Sequence, residues 1–258
     1  MVSLRECVSS TSLKNIHNND FIILLRKHSL NEDQYKLYAA QRACIASKFT
    51  LLLKKCIKLA DEIGDYELEN ALEKNLQDEL GINNFGVEDP TLNHKNWKDN
   101  YLNALGINAN IDLLPLLGAT KRHVLAMSHL EASGDVYTLA GALLYMENII
   151  PLEYRSAIIS RDYLFPDEFM INPDDDNDTV KFKIKNRNYM NDHVIHDTKK
   201  HFPDLLNALG KYEENKTAMN CIKAGIELIN SRRIDFYNNL SISINLDRKM
   251  MYFYTYAK

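Results

Sequence analysis

The nine residues HVIHDTKKH, positions 193 to 201, hold three histidines and one aspartate. On an α-helix, positions four apart advance by about 40° around the axis. His193, Asp197 and His201 therefore climb one narrow stripe, while His196 falls to its other side. Two neutral imidazoles and a carboxylate are a normal ligand set for iron, manganese or zinc. The competing reading is a solvated helix face, and this segment alone leaves both readings open.

Other charges stand out against their surroundings. The stretch VYTLAGALLYMENIIP, 136 to 151, is almost wholly apolar and holds one acid, Glu147. A helix apolar round most of its circumference is buried, and a buried glutamate needs a cation, unless Glu147 sits at the helix end and reaches water. In NLQDELG, 75 to 81, Asp78 and Glu79 fall in the last turn of a helix. There acids oppose the helix dipole unless something positive compensates them. His94 opens the helix that follows, a position where a lone histidine is usually a surface or capping residue. Taken as a set, a carboxylate at one helix end, His94, Glu147 and the His-x3-Asp-x3-His stripe supply three carboxylates and three imidazoles, enough to hold two metal ions.

These residues need helices to position them. With 9 glycines and 6 prolines in 258 residues and long runs of helix formers, the chain is expected to be all-α. Apolar spacing of three and four predicts helix between Asn31 and Gly64, again over Asp65 to Leu80 with Gly81 as the stop, and from a Thr91 or Asn93 cap to about Leu105. Further helices are expected near Thr120 to Glu131, Asp135 to Ile150 with Pro151 as terminator, Tyr189 to Leu209, and Glu213 to Asn239. Thr179 to Asn186, TVKFKIKN, alternates apolar and basic residues and reads as a short extended excursion. PDDDND, 173 to 178, lacks the glycine and closing glutamate of a calcium loop and reads as a solvated loop. One domain over 1–258 is expected, with residues 1–18 poorly ordered and 241–258 a C-terminal tail. The tail's aromatics either cover the bundle or meet a partner chain, a homodimer included.

Composition removes several function classes. With 31 basic and 35 acidic residues, net charge -4, the chain lacks the basic excess that phosphate backbones demand, so no nucleic-acid partner is expected. No apolar run approaches the ~18 residues of a membrane span, and no signal-like apolar core opens the chain, so a cytoplasmic protein is expected. Cys7, Cys44, Cys56 and Cys221 are too scattered for a zinc ribbon or redox pair.

In their order, NLQDELG, HKNWKDNYLNALG, GALLYMENIIPLEYRSAI and YMNDHVIHDTKKHFPDLLNALG resemble the haem-oxygenase-like di-metal oxidases. This helical family lacks haem, binds two irons or iron with manganese between its helices, and includes a chlamydial death-domain-associating protein. The resemblance covers most of the chain, from about residue 20 to 240. It implies a single haem-oxygenase-like bundle of about seven or more helices. It further implies two Fe(II) ions, or Fe with Mn, with Glu79, His94, Glu147, His193, Asp197 and His201 as ligands. Dioxygen would be the co-substrate and a small organic molecule the substrate, oxidised or cleaved. One departure is visible: the family's last histidine follows the aspartate by three positions, where this chain has Lys200, with His201 one further. A bulge in the helix or a subgroup with longer spacing would accommodate it, and His196 is the substitute ligand. The gap between Glu79 and His94 is also long, and a loop must absorb it.

Rival readings use other residues. A thiaminase-like hydrolase on the same fold would take Cys44 or Cys56 as nucleophile, without an evident base. A haem-degrading enzyme would take His17 or His28 as proximal ligand and leave the carboxylates unexplained. From another class comes a helical protein-interaction module with a structural or vestigial metal site. Tyr137, Tyr145, Tyr154 and Tyr189 either line a substrate pocket, carry electrons or fill the core.

Overall fold

The structure is a computed structural model that describes residues 3–9, 11–83, 85–110, 112 and 114–256, and the side chains of these except 9, 11, 12 and 246–256. Among the described residues there is no strand, only an isolated bridge between Ile82 and Glu88. The chain is all-α. Its helices are α1 (Leu4–Ser9), α2 (Thr11–His17), α3 (Asp20–Arg26), α4 (Glu32–Ala46), α5 (Phe49–Glu62), α6 (Tyr66–Leu80) and α7 (His94–Ala104). Then follow α8 (Gly118–Ser133), α9 (Val136–Leu164), α10 (Pro166–Phe169), α11 (Asn177–His196), a π turn (Asp197–His201), α12 (Phe202–Gly210) and α13 (Lys216–Tyr256).

The buried centre is α9, which packs along α13 and is flanked by α3, α5 and α11. Gly141 and Gly225 allow α9 and α13 to touch backbone to backbone: a Cβ on Gly141 would strike the Ile222 carbonyl, and one on Gly225 the Thr138 carbonyl. Nineteen residues of α9 are buried, among them Glu147 and Glu153, so the helix has no wet face over most of its length.

Three expectations are corrected. Pro151 does not end its helix; α9 runs on to Leu164. The proline gives up the N–H that would have bonded the Glu147 carbonyl, and packing on all sides carries the helix past that loss. Thr179–Asn186 is not extended but lies within α11, started by Asp176, whose side chain accepts from Thr179 N. The buried stripe of α11, Lys183, Asn186, Tyr189, Met190 and His193, has helical spacing, but its first two members are polar and hide the period. Phe182 and Ile184, which made the alternation, are exposed. The acidic run before it is put to use as well, since Asp175 holds Lys183 at 2.9 Å. Asn31 to Gly64 contains two helices, broken at Ser47 and Lys48. Within the first 18 residues, α1 and α2 are formed and Leu4, Val8 and Ile16 are buried. The tail continues α13, but the aromatics beyond 245 lie outside the described side chains. Among the described residues, no helix is long and apolar enough to cross a membrane.

Candidate metal centre

The long gap between Glu79 and His94 is taken up by a loop that folds back on its own start. Asp65 caps α6 at one end, accepting from Leu68 N, and Gly81 ends it at φ +70°, in the left-handed region. There a Cβ would lie 2.6 Å from Asn93 N and 2.8 Å from the Asp89 carbonyl. Only glycine allows both the turn and the close approach. Asn93 then joins the two helices: its Nδ2 donates to the Leu80 carbonyl at 2.9 Å, and its Oδ1 accepts from Lys95 N and Asn96 N. The end of α6 and the start of α7 are thereby fixed side by side. His94 Nδ1 comes to 3.1 Å from Glu79 Oε1.

The stripe on α11 is reached through an irregular turn. Asp197 to His201 form a π turn, which accommodates one residue more than a regular turn of helix. The four-residue spacing from Asp197 to His201 therefore does the work of the three-residue spacing, and the expectation of a regular helix at fourfold spacing is corrected. Lys200 is exposed, and His201 is buried facing inward.

All six residues singled out by the sequence come together in two groups of three. Glu79, His94 and His193 form one; Glu147, Asp197 and His201 form the other. In each group the potential ligand atoms lie within 4.8 Å of one another. Asp197 joins the groups, its Oδ1 lying 3.4 Å from His193 Nδ1 and 3.3 Å from His201 Nδ1. His201 Nδ1 also lies 3.7 Å from Glu147 Oε2. His196, weighed as a substitute, stays outside both groups and is half-buried.

Three further residues touch the groups, and of these the sequence reading had weighed only Asp78, as an acid at a helix end. Asp192 Oδ2 lies 3.2 Å from His94 Nε2, and Asp78 Oδ2 lies 2.9 Å from His201 Nε2. Each aspartate takes the outer nitrogen of its histidine, so that both histidines turn Nδ1 inward. His196 sits between these aspartates, 3.4 Å from Asp192 and 3.9 Å from Asp78. Asn75 donates to Glu147 Oε1 at 2.6 Å. The four-residue spacing of Asp192 and His196 was the legible signal for this outer layer; Asn75 gave none.

The electrostatics are those of acids and imidazoles crowded out of water. Burial pushes the Glu147 carboxyl up, and the neighbouring Asp197 charge pushes it further. Burial works the same way on Asp197 and Glu79, but His193 beside the first and His94 beside the second outweigh it, and both are held low. Burial disfavours the charged form of His94 and His201, yet the carboxylates around them win, raising them to about 10 and about 12. Even so, Glu147 Oε2, Asp197 Oδ2, His94 Nδ1 and His201 Nδ1 are buried with no aligned hydrogen-bond partner. Buried polar atoms are rarely left so. Four such atoms, from two carboxylates and two imidazoles within a set of three of each, fit a pair of divalent cations of intermediate to hard character, iron or manganese among them.

A cavity of about 770 Å³ opens onto the first group, lined by Glu79, His94 and His193 together with Met146, Ile150, Tyr154 and Tyr189. Of the four tyrosines considered, Tyr154 and Tyr189 line it and bond each other at 3.1 Å. Tyr145 instead bonds Asn230, and Tyr137 packs on Tyr212. The residues of the rival readings fare worse. Burial raises the thiols of Cys44 and Cys56, away from the nucleophilic thiolate. His17 and His28 are exposed, and His17 rests against Arg26.

No family model matches the chain, and no curated protein does. Among solved structures it is similar to two crystal structures of a CADD-like protein of unknown function from Nostoc punctiforme PCC 73102, at 2.00 and 1.35 Å resolution. With the first the TM-score is 0.65 at 12% identity, over 90% of this chain and 95% of that one. With the second it is 0.65 at 15% identity, over 92% and 90%. The shared property is the helical fold, across nearly the whole of both chains.

Proposed function

We propose that this chain is a dioxygen-dependent, non-haem di-metal oxidoreductase of haem-oxygenase-like fold. It would use two Fe(II) ions, or iron with manganese, to oxidise or cleave a small organic substrate. The observation that carries the reading is the convergence of the two triads on Asp197, with four buried ligand atoms that make no aligned hydrogen bond within the protein. The resemblance seen in the sequence and the fold shared with a CADD-like protein support it.

Glu79, His94 and His193 would hold one ion and Glu147, Asp197 and His201 the other, with Asp197 placed to serve both. When bound, such a pair supplies the electrons and open coordination positions by which dioxygen is reduced. The chain's own contribution is position. Asp78 would accept a hydrogen bond from Nε2 of His201, and Asp192 stands 3.2 Å from Nε2 of His94, so that each orients its ring. Asn75 holds one oxygen of Glu147 and leaves the other free to turn inward. Tyr154, Met146 and Ile150, all buried, keep bulk water from the side of the cavity that the first triad lines.

The test is oxygen consumption by anaerobically purified protein on adding Fe(II) and then air. The reading expects uptake that scales with protein and is lost in Glu147→Gln. Metal binding without uptake would instead favour the interaction module with a structural metal.

A further inference from the structure

A second cavity, a groove of about 700 Å³, lies between α7 and α11 and shares only Asp99 with the first. Trp97 and Asn100 line it from α7. Lys181, Ile184, Lys185 and Asn188 line it from α11, at the i, i+3, i+4 and i+7 spacing of one helix face. Trp97 connects this groove to the candidate centre. Its indole stacks on the His94 imidazole, ring centres 4.8 Å apart and planes 27° off parallel, and its Nε1 donates to the Thr91 carbonyl at 2.7 Å. His94 belongs to the first triad and lines the first cavity, whereas Trp97 lines the second. One stacked pair of rings therefore joins the groove to a ligand of the triad. The rest of the lining is apolar or basic for the most part. Ile184 is 45% exposed, and Lys181 and Lys185 are exposed beside it, one turn apart. The contact of Lys181 with Asp178, at 3.6 Å, is between exposed groups and holds neither in place. The acid of the lining, Asp99, is paired with Lys95 at 3.0 Å.

We infer that the groove takes a reduced flavin mononucleotide, FMN, and that its electrons enter the centre through Trp97 and His94. A flavin ring is a flat apolar plate with a polar rim, which suits Trp97 and Ile184 beside the amides of Asn100 and Asn188. Its phosphate suits two lysines one turn apart. The volume of about 700 Å³ is within the range that encloses a small molecule. A flavin can release its electrons one at a time, as a pair of metal ions must take them, whereas a nicotinamide passes a hydride. The step balances: the reduced flavin anion gives up two electrons and one proton to become FMN, each of two Fe(III) ions takes one electron to become Fe(II), and the proton goes to water. As a statement about electron delivery this rests on the di-metal reading. As a statement about binding it does not.

Trp97 is the chain's only tryptophan, so its emission reports the groove directly. In the metal-free, full-length protein FMN should quench that emission and gain fluorescence anisotropy of its own. At low ionic strength FMN should bind roughly fivefold or more tightly than riboflavin, which lacks the phosphate, about what two exposed charge pairs contribute. The double variant Lys181→Gln, Lys185→Gln should lose that preference, and Ile184→Asp should weaken both flavins. These three positions are exposed, so the variants should fold. In iron-loaded, air-oxidised protein mixed anaerobically with reduced FMN, the visible absorbance of oxidised flavin should return, one FMN for every two Fe(II) formed. Trp97→Leu should slow that return at saturating flavin with iron content and FMN anisotropy unchanged, and Trp97→Phe, which keeps a ring on His94, should restore it. Emission unmoved by either flavin, equal affinity for both, preference retained in the double variant, or Trp97→Leu as fast as the parent would overturn the inference. Lysine-dependent FMN binding in a protein that holds no metal would leave the groove's ligand standing and remove the di-metal reading. Two bound metals with no FMN binding would do the reverse.

Discussion

Glu147→Gln separates a metal ligand from a structural acid. Glu147 is buried, with Oε1 held by Asn75 at 2.6 Å and Oε2 unpartnered 3.7 Å from His201. Glutamine keeps the volume and an acceptor for Asn75, so the cost of about 1–3 kcal/mol for a stranded buried donor is avoided. It also removes a carboxyl that burial and Asp197 push up. A carboxyl with a raised folded pKa holds its proton longer when folded, so it lowers stability as pH rises through its unfolded value near 4.5. The metal-free variant should therefore gain stability relative to the parent on going from pH 4 to pH 7, by roughly 1.4 kcal/mol for every tenfold by which folding tightens the carboxyl's hold on its proton. Its metal binding should go the other way. Losing an outer hydrogen-bond partner costs 10- to 100-fold, so losing a direct ligand should cost at least about 100-fold, roughly 2.8 kcal/mol, at the second triad. Denaturant melts at the two pH values and anaerobic iron titration measure both. Weaker stability at pH 7 than at pH 4 relative to the parent, together with full occupancy of two ions, would refute the reasoning.

Three further outcomes follow from the same geometry. Gly81→Ala places a Cβ at φ +70° and 2.6 Å from Asn93 N, so it should destabilise the fold by roughly 2–4 kcal/mol in denaturant melts and weaken metal binding at the Glu79, His94, His193 group. An unchanged melt would mean that the α6–α7 loop does not set that group. His201→Ala should lose the second ion, whereas His196→Ala, which touches only the outer aspartates, should weaken binding by less than tenfold in the same iron titration. Metal uptake should release protons, because His94 and His201 are raised to about 10 and about 12. Apparent affinity should rise from pH 6 to 9, and calorimetric heats should differ between buffers of different ionisation enthalpy. The metal-free fold should lose stability over the same range: a histidine with raised pKa contributes fully below its unfolded value near 6.5, and the contribution fades towards the folded one.

Several helix ends were legible from the residues that make them, though the Asp176 cap of α11 was not. Asp65, Gly81 and Asn93 bound α6 and α7 where capping chemistry places them. Glu147 was legible because it broke an apolar pattern, and His193, Asp197 and His201 because they share one stripe; Glu79 in place of Asp78, and His94, came only with the family resemblance. What sequence reasoning missed has a common cause: packing overruled local preference. Pro151 lies inside α9 because the helix is enclosed on all sides, and the start of α11 hides its period behind a buried Lys183 and Asn186. The π turn was legible only as a spacing anomaly at Lys200. Its backbone shape depends on what His201 meets across the bundle, namely Asp78 and Glu147. Asp78 was seen as a charge and Asp192 was not; the histidines they meet, His201 and His94, come from other helices, and one chain read in order does not place them.

The most direct test is anomalous diffraction at the iron edge from crystals grown anaerobically with Fe(II). The account predicts two peaks per chain, one among Glu79, His94 and His193 and one among Glu147, Asp197 and His201, with an Asp197 oxygen adjoining each. No peak at either triad, or a peak only in the outer layer at Asp78, Asp192 and His196, would contradict it.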